Sequence, residues 1–295
     1  MWFQIICLCL TINSLSLFSD ANPLGECNVT SLFTSINSQL AVVRTEVERL
    51  KTDGLVKESD YQAFRAEQER QGKLIEGLVD KLDLLESRFN PINCTEAKWN
   101  GIYNVLLPNY SRQPFEVACD AITREGGWTI LLRRFDGSVE FNRSWTEYKN
   151  GFGELSGEFF LGLDKIHELT AERRQELLII LEDFEGRVSP VTYDEFAIGD
   201  EKQQYVLHSL GEAHGIAGDA LSNYKGMQFS TFDRDNDLWP ANCAKELTGG
   251  WWYRSCGGSH LTGKYRDNTR GIFWSYFGGF AYSLKRAIMM IRPKK

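Results

Sequence analysis

Three carboxylates alternate with Arg234 and Asn236 in the run from Asp233 to Asp237. Anionic side chains this close repel one another unless a cation lies between them, and their oxygens are the ligand type that Ca²⁺ takes. The run does not fit an EF-hand loop, because its sixth position is Leu238 instead of Gly and its twelfth is Ala244 instead of Glu. The run therefore predicts either a calcium site of another kind or a solvated acidic turn.

Two cysteines, Cys243 and Cys256, follow the acidic run and flank the aromatic trio Trp251-Trp252-Tyr253. An exposed trio of this kind would offer a surface on which a sugar ring can stack. Alternate residues of an extended segment point to opposite faces, however, so at least one of the tryptophans is expected in the core.

The elements around these residues are short. Strands are predicted at 128–135, 176–184 and 287–291, and a hairpin at 196–208 turns at Gly199-Asp200. Short helices are predicted at 144–150 and 162–169, with Ser, Asp or Gly at their starts. Mixed short elements with many glycines indicate an α+β domain, which we place at 91–295 because Asn90-Pro91 ends the preceding helical pattern.

Residues 30–90 follow one heptad frame without a stutter. The a positions are Phe33, Leu40, Val47, Gly54, Tyr61, Gln68, Ile75, Leu82 and Phe89, and the d positions are Ile36, Val43, Leu50, Lys57, Phe64, Gln71, Leu78 and Leu85. This repeat predicts a coiled coil that assembles a homo-oligomer. Two alternatives stay open: Gly54 breaks the rod into two helices, or the segment is a single amphipathic helix packed on the C-terminal domain.

The N-terminus indicates secretion. Residues 1–21 are mostly apolar and end in Ser19-Asp20-Ala21, which are small residues at the spacing of a signal cleavage site, although no Lys or Arg precedes the apolar run. The rival interpretation is a membrane anchor, but polar residues interrupt this stretch, and no other segment is long and apolar enough to cross a bilayer. The net charge of −7 also argues against nucleic acid, which requires a positive field.

Cysteines and sequons also fit an extracellular protein. Once the leader is removed, five cysteines remain, and an odd number in a secreted chain suggests a bond between chains. Cys27, in the tail at 22–29, is the candidate for that bond, although a free or capped thiol is the alternative. The N-x-S/T sequons that predict glycosylation are Asn28, Asn93, Asn109 and Asn142.

The stretch from Asn93 to Pro293 resembles the fibrinogen C-terminal domain of ficolins, tachylectins, angiopoietin-like proteins and insect fibrinogen-related proteins. Matching blocks run in family order: Val117–Asp120, Gly126–Thr129, Arg133–Ser138, Tyr148–Gly153, Glu158–Asp164, Ala217–Asp219, Phe229–Thr231, the acidic run, Asn242–Ala244, Trp251–Tyr253 and Met289–Pro293. The resemblance implies an antiparallel central sheet and a loop-rich lobe that carries the metal site.

The resemblance also implies roles for individual residues. One Ca²⁺ would bind the carboxylates of Asp235 and Asp237 and the main-chain carbonyls of Trp239 and Ala241, with Asp233 in an outer position or capping the loop. It further implies that Cys94 pairs with Cys119 and Cys243 with Cys256, and that the Ser255–Cys256 peptide is cis.

The ligand pocket departs from the family pattern. Acetyl-binding relatives place a His directly after the second cysteine of this lobe, where this chain has Gly257. These relatives also enclose the acetyl methyl group between aromatic side chains. Leu247 occupies the position of one of them, and the loop after Tyr265 that would supply the other is shorter here. The main-chain N–H groups of Cys256 and Gly257 remain available to an acyl oxygen, and His260 lies near enough in sequence to replace the absent donor.

These observations leave two functions open for a secreted, calcium-stabilised oligomer. The first is an innate-immune lectin that binds glycans or acylated groups on microbial or cell surfaces. The second is a protein ligand of a cell-surface receptor or matrix component, as in the angiopoietin-like branch, and the altered pocket favours it. No catalytic motif with a known mechanism occurs in the sequence, so we do not expect an enzyme.

Overall fold

The structure is a computed structural model. It describes Ser38, Ala41, Thr45, Glu48, Arg49, 51–54, 57–89, 91–107, Asn109 and 113–294, with the backbone alone for 78–89. The predicted leader, Cys27, Asn28 and most of the first four heptads therefore lie outside the described residues. The chain divides into two compact units, 1–81 and 82–295.

The described residues of the heptad region are helical up to Thr52, and helix α1 spans Glu58–Phe89. Between them Gly54 has a left-handed φ of 71°. The Tyr61 hydroxyl donates to Glu48 Oε1 at 3.1 Å, although residues 48 and 61 of one straight helix would lie about 20 Å apart. The chain therefore bends at Gly54, which confirms the break that the sequence left open.

The heptad face of α1 is its covered face. Within 58–77 every residue is exposed except Tyr61, Phe64, Gln68 and Ile75, which are buried or half-buried. All four are a or d positions of the predicted frame. Helix α1 ends at Phe89, next to the predicted stop at Asn90-Pro91.

The second unit is built on one antiparallel sheet. Its strands are β1 (Gly101–Val105), β2 (Phe115–Asp120), β3 (Trp128–Arg134), β4 (Phe152–Gly153), β5 (Phe159–Phe160), β6 (Gln175–Glu182), β7 (Val188–Ile198), β8 (Leu207–Leu210), β9 (Ala213–Gly215) and β12 (Arg286–Pro293). The order is β1-β2-β3-β12-β6-β7-β8, with β4 and β5 beside β3, and β9 beside β7. A separate pair joins β10 (Ser259–His260) to β11 (Phe273–Trp274).

The predicted elements are present with shifted ends. The hairpin pairs Phe196 with Leu210 and Ile198 with Leu207, and a 3-10 turn at Glu201–Gln203 connects its strands. Central strands β3, β12 and β6 are buried because their apolar residues belong to the hydrophobic core of the unit.

Three short helices belong to this unit: α2 (Trp145–Asn150), α3 (Leu163–Glu172) and α4 (Cys243–Leu247). Helix α2 begins with a capping box in which Ser144 and Glu147 satisfy each other's backbone N–H. Helix α3 starts at Leu163, with Gly162, the predicted start, as its N-cap residue, and packs on β7.

The disulfide Cys94–Cys119 closes the start of the unit, with a Cα–Cα distance of 5.4 Å. Cys94 lies in a 3-10 turn and Cys119 in β2, and both are buried. The pairing that the family resemblance implied is therefore confirmed.

A buried ion pair fixes the end of β3. Arg134 and Glu158 are each at most 1% exposed. Glu158 accepts the backbone N–H groups of residues 135, 136, 137 and 139, and Arg134 donates to the carbonyls of Leu261 and Gly263. The pair thereby connects the sheet to the loop lobe, while burial lowers the pKa of the Arg134 guanidinium.

Candidate calcium loop and ligand face

The acidic run forms a loop that is closed at both ends by hydrogen bonds. At its start Ser230 pairs with Trp251, and Thr231 pairs with Arg234. At its end Asn242 caps helix α4 by accepting the N–H of Lys245, and its amide donates to the Thr231 carbonyl at 3.1 Å. One side chain therefore holds the two ends of the loop together.

The two predicted carboxylate ligands lie side by side. The N–H of Asp237 donates to Asp235 Oδ1 at 3.3 Å, and Asp237 in turn accepts the N–H of Trp239 at 2.8 Å and of Cys243 at 2.9 Å. Partial burial raises the pKa of Asp237, and the negative charge of Asp235 raises it further. A divalent cation between these carboxylates would remove that repulsion.

The predicted carbonyl ligands are available. Within the described part of the chain, no N–H donates to the main-chain oxygens of Trp239 or Ala241. Two carboxylates and two free carbonyls are hard oxygen donors, so the residues fit Ca²⁺ and not a soft transition metal. The described residues contain no group of three His, Cys, Asp or Glu side chains that would offer a different metal centre.

Asp233 has a separate role. Its Oδ1 accepts the N–H of Trp145, the first residue of α2, at 2.9 Å and the hydroxyl of Thr231 at 2.7 Å. The neighbouring Arg234 places its guanidinium 4.1 Å from the centroid of the Trp145 ring. These contacts attach the loop to α2. The two roles that the resemblance offered for Asp233, an outer position around the ion or a cap of the loop, both stay predictions.

The second disulfide, Cys243–Cys256, joins α4 to the segment after the aromatic trio, with a Cα–Cα distance of 5.3 Å. It confirms the implied pairing. The expectation of a cis peptide before Cys256 is wrong: all described peptide bonds are trans, and Cys256 instead adopts a left-handed φ of 53°.

The position that would carry an acetyl-gripping histidine has no room for a side chain. Gly257 has a φ of 106°, and a Cβ added there would overlap the phenol ring of Tyr224. That hydroxyl donates to the Ser259 carbonyl at 2.9 Å and accepts its N–H at 2.8 Å. A Gly257→His substitution would therefore have to displace Tyr224 and is not expected to create an acetyl site.

The suggestion that His260 replaces the missing donor is wrong. His260 is completely buried, and its Nε2 lies 2.7 Å from the Tyr253 hydroxyl. Burial, with a smaller contribution from the nearby Arg134 charge, lowers the pKa of His260 to about 3. It is therefore a neutral core residue that a surface ligand does not reach.

The remaining predicted ligand residues have structural contacts elsewhere. Tyr265 donates to the Phe135 carbonyl at 2.6 Å, and its ring packs near Gly137 and Phe184. Leu247, the last residue of α4, is half-buried against the core. These contacts do not assemble the aromatic walls that acetyl binding would require.

The aromatic trio is core. Trp251, Trp252 and Tyr253 are each at most 1% exposed, and the Trp252 ring meets Phe229 edge to face at 5.1 Å. The expectation that at least one tryptophan is buried is confirmed for both, and a sugar-stacking platform here is excluded.

Two grooves lie away from the predicted ligand residues. One, of about 310 Å³, is lined by residues that include Ile102, Phe152 and Lys165. The other, of about 670 Å³, is lined by residues that include Glu195, Glu212 and Asp219. Neither contains Leu247, Cys256, Gly257, His260 or Tyr265.

The sequons differ in accessibility. Asn93 is 5% exposed, and its side-chain oxygen accepts the N–H of Thr95 at 2.9 Å, so a glycan on Asn93, which stays a prediction, would have to displace this packing. Asn109 and Asn142 are exposed and remain predicted acceptors.

Sequence reasoning missed several residues of this region. Asn236 donates to the Phe229 carbonyl at 2.7 Å, Asn242 closes the loop, and Tyr224 fills the space beside Gly257. Asn242 had a detectable signal, because Asn before a short helical run is a favoured N-cap. Tyr224 had none, since its partners lie 32 and 35 residues away in sequence.

Comparison with known proteins agrees with this architecture. The family model described as the C-terminal globular domain of fibrinogen beta and gamma chains matches residues 92–294. Angiopoietin-related protein 6 of Mus musculus is 42% identical over 215 residues, which cover 68% of this chain and 46% of that protein. Microfibril-associated glycoprotein 4 of Homo sapiens is 41% identical over 217 residues, which cover 68% of this chain and 85% of that protein. The chain spans about half the length of the angiopoietin-related proteins it matches.

Solved structures show the same fold. The fibrinogen-like globe domain of human ANGPTL2 superposes with a TM-score of 0.67 at 40% identity and covers 70% of this chain and 100% of that one. A lamprey fibrin D-dimer, solved with the peptide Gly-His-Arg-Pro-amide, gives a TM-score of 0.65 at 28% identity and covers 90% of this chain and 94% of that one. The chain therefore belongs to the family of proteins that contain the fibrinogen C-terminal globular domain.

Proposed function

We propose that the chain is a secreted oligomer whose fibrinogen-like head binds a protein on a cell surface or in the extracellular matrix. The observation that carries this proposal is the packing at Gly257, where the Tyr224 ring occupies the space that an acetyl-binding side chain would need. His260, the other candidate donor, is buried. The lectin hypothesis thereby loses His260, its candidate for a polar side-chain donor.

The relatives support a protein partner. Two of them are named as angiopoietin-related proteins and one as microfibril-associated, and the lamprey fibrin structure holds a peptide ligand. From these relatives we carry over to this chain the binding of a partner without catalysis. No helix among the described residues is long and apolar enough to span a bilayer.

Calcium would stabilise the loop that shapes this face. Asp235 and Asp237 would bind the ion together with the carbonyls of Trp239 and Ala241. Asp233, Asn242 and the Cys243–Cys256 disulfide hold the surrounding backbone in place. Leu238 and Trp239 are exposed on the same loop, with 63% and 37% of their surface accessible, so an ordered loop would present apolar contact area to a protein partner.

Oligomerisation would make weak single-head binding effective. Linking heads through the predicted coiled coil raises the apparent affinity by about 10²–10⁴ without any new contact, provided the partner sites lie within reach. The predicted link at Cys27 would make that assembly permanent.

The partner class is tested with the full-length chain on two surfaces. One is immobilised N-acetylglucosamine, and the other is cultured cells before and after trypsin shaving or glycosidase treatment. We expect no retention on the sugar, and cell binding that trypsin removes and glycosidase spares. Calcium-dependent retention on the sugar, or cell binding that only the glycosidase removes, would establish the lectin function instead.

The calcium site is tested with the double variant Asp235→Asn, Asp237→Asn. Calcium at about 100 times its dissociation constant should stabilise the unchanged head by about 2.7 kcal/mol, which raises the melting temperature by roughly 5–10 °C. The double variant should lose this increase in differential scanning calorimetry. Glu154→Gln with Glu246→Gln, which neutralises two exposed carboxylates elsewhere, should keep it. An equal increase in both variants would place the ion at another site.

A further inference from the structure

Two large apolar side chains are left open to solvent near the start of the head. Trp99 is 75% exposed and Ile122 is 71% exposed, whereas the tryptophans at 128, 145, 251, 252 and 274 are at most 3% exposed. An indole with three quarters of its surface in water is an unusual feature of a folded domain, because aromatic side chains bury 150–250 Å² when they find a partner. Scattered exposed apolar residues are normal, whereas an apolar patch of a few hundred Å² is often functional.

The two residues lie on adjacent segments. Strand β1 pairs with β2 so that Gly101 lies opposite Cys119, which places the residues just before β1 beside those just after β2. The side chain of Asn100, next to Trp99, accepts the N–H of Ala121, next to Ile122, at 2.8 Å. We call Trp99 and Ile122 the edge pair, because β1 is the last strand at its end of the sheet order.

The edge pair is held on a rigid base. Cys94 and Cys119 are joined by a disulfide, and Trp99 and Ile122 follow these cysteines by five and three residues. The Tyr103 hydroxyl donates to the Trp99 carbonyl at 3.0 Å and fixes the backbone there. The exposure of the pair is therefore a property of an anchored surface and not of a loose terminus.

The charges around the edge pair are nearly balanced. Glu96 and Lys98 precede Trp99, Asp120 precedes Ile122, and Arg124 and Glu125 follow it, which gives three acidic and two basic residues. The whole chain carries −7, so most of its surface would repel a copy of itself. This apolar edge of mixed charge is a place where two copies approach at a smaller electrostatic cost.

The area of the edge pair is too small to join heads that are otherwise free. Its exposed side chains amount to about 300 Å² on the scale of a buried aromatic residue, whereas a stable interface buries about 800 Å² per partner. A patch of this size contributes only when the copies are already linked. The predicted coiled coil supplies that link, because it ends at residue 90 and each Trp99 follows it by nine residues.

We propose that the edge pair is a contact between heads of one oligomer, in which Trp99 of one copy packs against Ile122 of a second copy of this chain. The proposal rests on the oligomeric part of the proposed function and is independent of the identity of the external partner. It orients the heads relative to one another, so that the faces carrying the acidic loop are presented in a fixed arrangement. An oligomer linked only by its rod would leave each head free to rotate.

Engineered cysteines test the contact in the full-length chain. Two differently tagged chains, one with Trp99→Cys and one with Ile122→Cys, are co-expressed on a Cys27→Ser background so that the native thiol does not contribute. We expect a disulfide-linked heterodimer on non-reducing gels, formed at least about tenfold faster than chance encounter within the oligomer allows. The matched control is Ile216→Cys with Leu238→Cys, two positions that are 77% and 63% exposed, of which Ile216 follows β9 beside β7, towards the other end of the sheet order.

A second measurement avoids engineered thiols. In a Trp239→Phe background, Trp99 is the one strongly exposed tryptophan among the described residues, so acrylamide quenching of fluorescence reports on its accessibility. Ile122→Arg should increase quenching in the full-length chain, with a circular dichroism spectrum that is unchanged. Ile216→Arg should leave quenching as it was.

Three results would overturn the proposal. These are equal cross-linking of the test and control pairs, quenching that Ile122→Arg does not change, and a full-length chain that light scattering shows to be a monomer. Cross-linking of either cysteine to a different protein would assign the edge pair to an external partner instead. The cross-linking and quenching results leave the cell-binding and calcium tests unaffected, so failure of the contact is distinguishable from failure of the proposed function. A monomer would contradict the oligomeric part of that function as well.

Discussion

At the scale of single residues, burial decides what a polar group does. His260 and His208 are the same residue type, but His260 lies in the core against Tyr253 whereas His208 is exposed on β8. Removing imidazole from water disfavours its charged form, and no carboxylate beside His260 offsets that cost. His260 therefore acts as a neutral hydrogen-bond partner of Tyr253.

This burial makes stability sensitive to acid. An unfolded histidine titrates near 6.5, whereas the folded pKa of His260 is about 3. Between these values only the unfolded chain takes up the proton. The contribution of neutral His260 to the free energy of unfolding is therefore fully present above pH 6.5, and below that pH it falls by up to about 1.4 kcal/mol per pH unit. We expect His260→Gln to be less stable at pH 7 but to lose stability less steeply between pH 6.5 and pH 4.

Urea unfolding at several pH values measures this slope. His208→Gln is the control, because it removes an exposed histidine. Its stability should depend on pH with the same slope as that of the unchanged chain. Parallel slopes for the unchanged chain and His260→Gln would show that other groups cause the acid sensitivity.

At the scale of elements, the acidic loop depends on helix α2. Asp233 accepts the first N–H of α2, so the loop is attached to the layer of helices as well as to its own ends. Groups that orient metal ligands without binding the ion typically affect affinity by about 10–100-fold. Asp233→Ala should therefore weaken calcium binding by about tenfold and leave the site present, as measured by isothermal titration calorimetry.

Two outcomes would contradict this role. Complete loss of binding would make Asp233 a direct ligand, and unchanged affinity would show that α2 does not position the loop. Asp200→Ala is a suitable control, because Asp200 also caps a short helical turn, at Glu201–Gln203, but belongs to the hairpin.

The turn after β3 depends on a single carboxylate. Glu158 accepts four backbone N–H groups and faces the buried Arg134. Replacing it by Gln leaves an uncompensated charge in the core, which typically costs about 3–5 kcal/mol. Glu158→Gln should lower the free energy of unfolding by that amount in urea titration, whereas the exposed Glu154→Gln should change it by less than about 0.5 kcal/mol.

A second substitution separates the charge from the turn. Arg134→Met combined with Glu158→Gln removes both charges and should recover part of the loss. If the double variant is as unstable as the two single losses added together, the turn geometry and not the ion pair is the dominant contribution.

At the scale of the whole molecule, the heptad frame predicts assembly. Tyr61, Phe64, Gln68 and Ile75 of α1 are seam positions of that frame, and residues of the same chain already cover them wholly or in part. Phe64→Glu with Ile75→Glu places two charges in that seam and should convert the oligomer to monomers in light scattering. Ser59→Glu with Gln62→Glu adds the same charge on exposed positions and should leave the oligomer intact.

The head provides an internal control for that experiment. Its core cluster consists of residues between Cys94 and Ile291 and does not include the substituted positions. The thermal transition of the head should therefore be unchanged in both variants. An oligomer that survives the seam charges would mean that α1 packs within one chain, as the single-helix alternative holds.

Much of the fold could be predicted because it is encoded locally. The strands at 128–135 and 287–291, the capped helices at 144–150 and 162–169, and the hairpin at 196–208 all appear within a few residues of their predicted ends. Each depends on a periodic pattern or a capping residue that neighbouring positions determine. The family resemblance added the pairing of Cys94 with Cys119 and of Cys243 with Cys256, which spacing alone does not give.

The ligand face was decided by tertiary packing. The sequence places Gly257 and His260 close to Cys256, but it does not contain the information that Tyr224 fills the space at Gly257 or that Tyr253 and Arg134 enclose His260. Tyr224 and Arg134 come from segments tens of residues away, although Tyr253 is only seven residues from His260, and exposure is set by which segments meet. The sequence by itself determined an acidic loop, for which calcium binding stays a prediction, and a fibrinogen-like head. Only the folded chain decided that neither position 257 nor His260 offers a side chain to an acetyl group, because Tyr224 fills the space at Gly257 and packing buries His260.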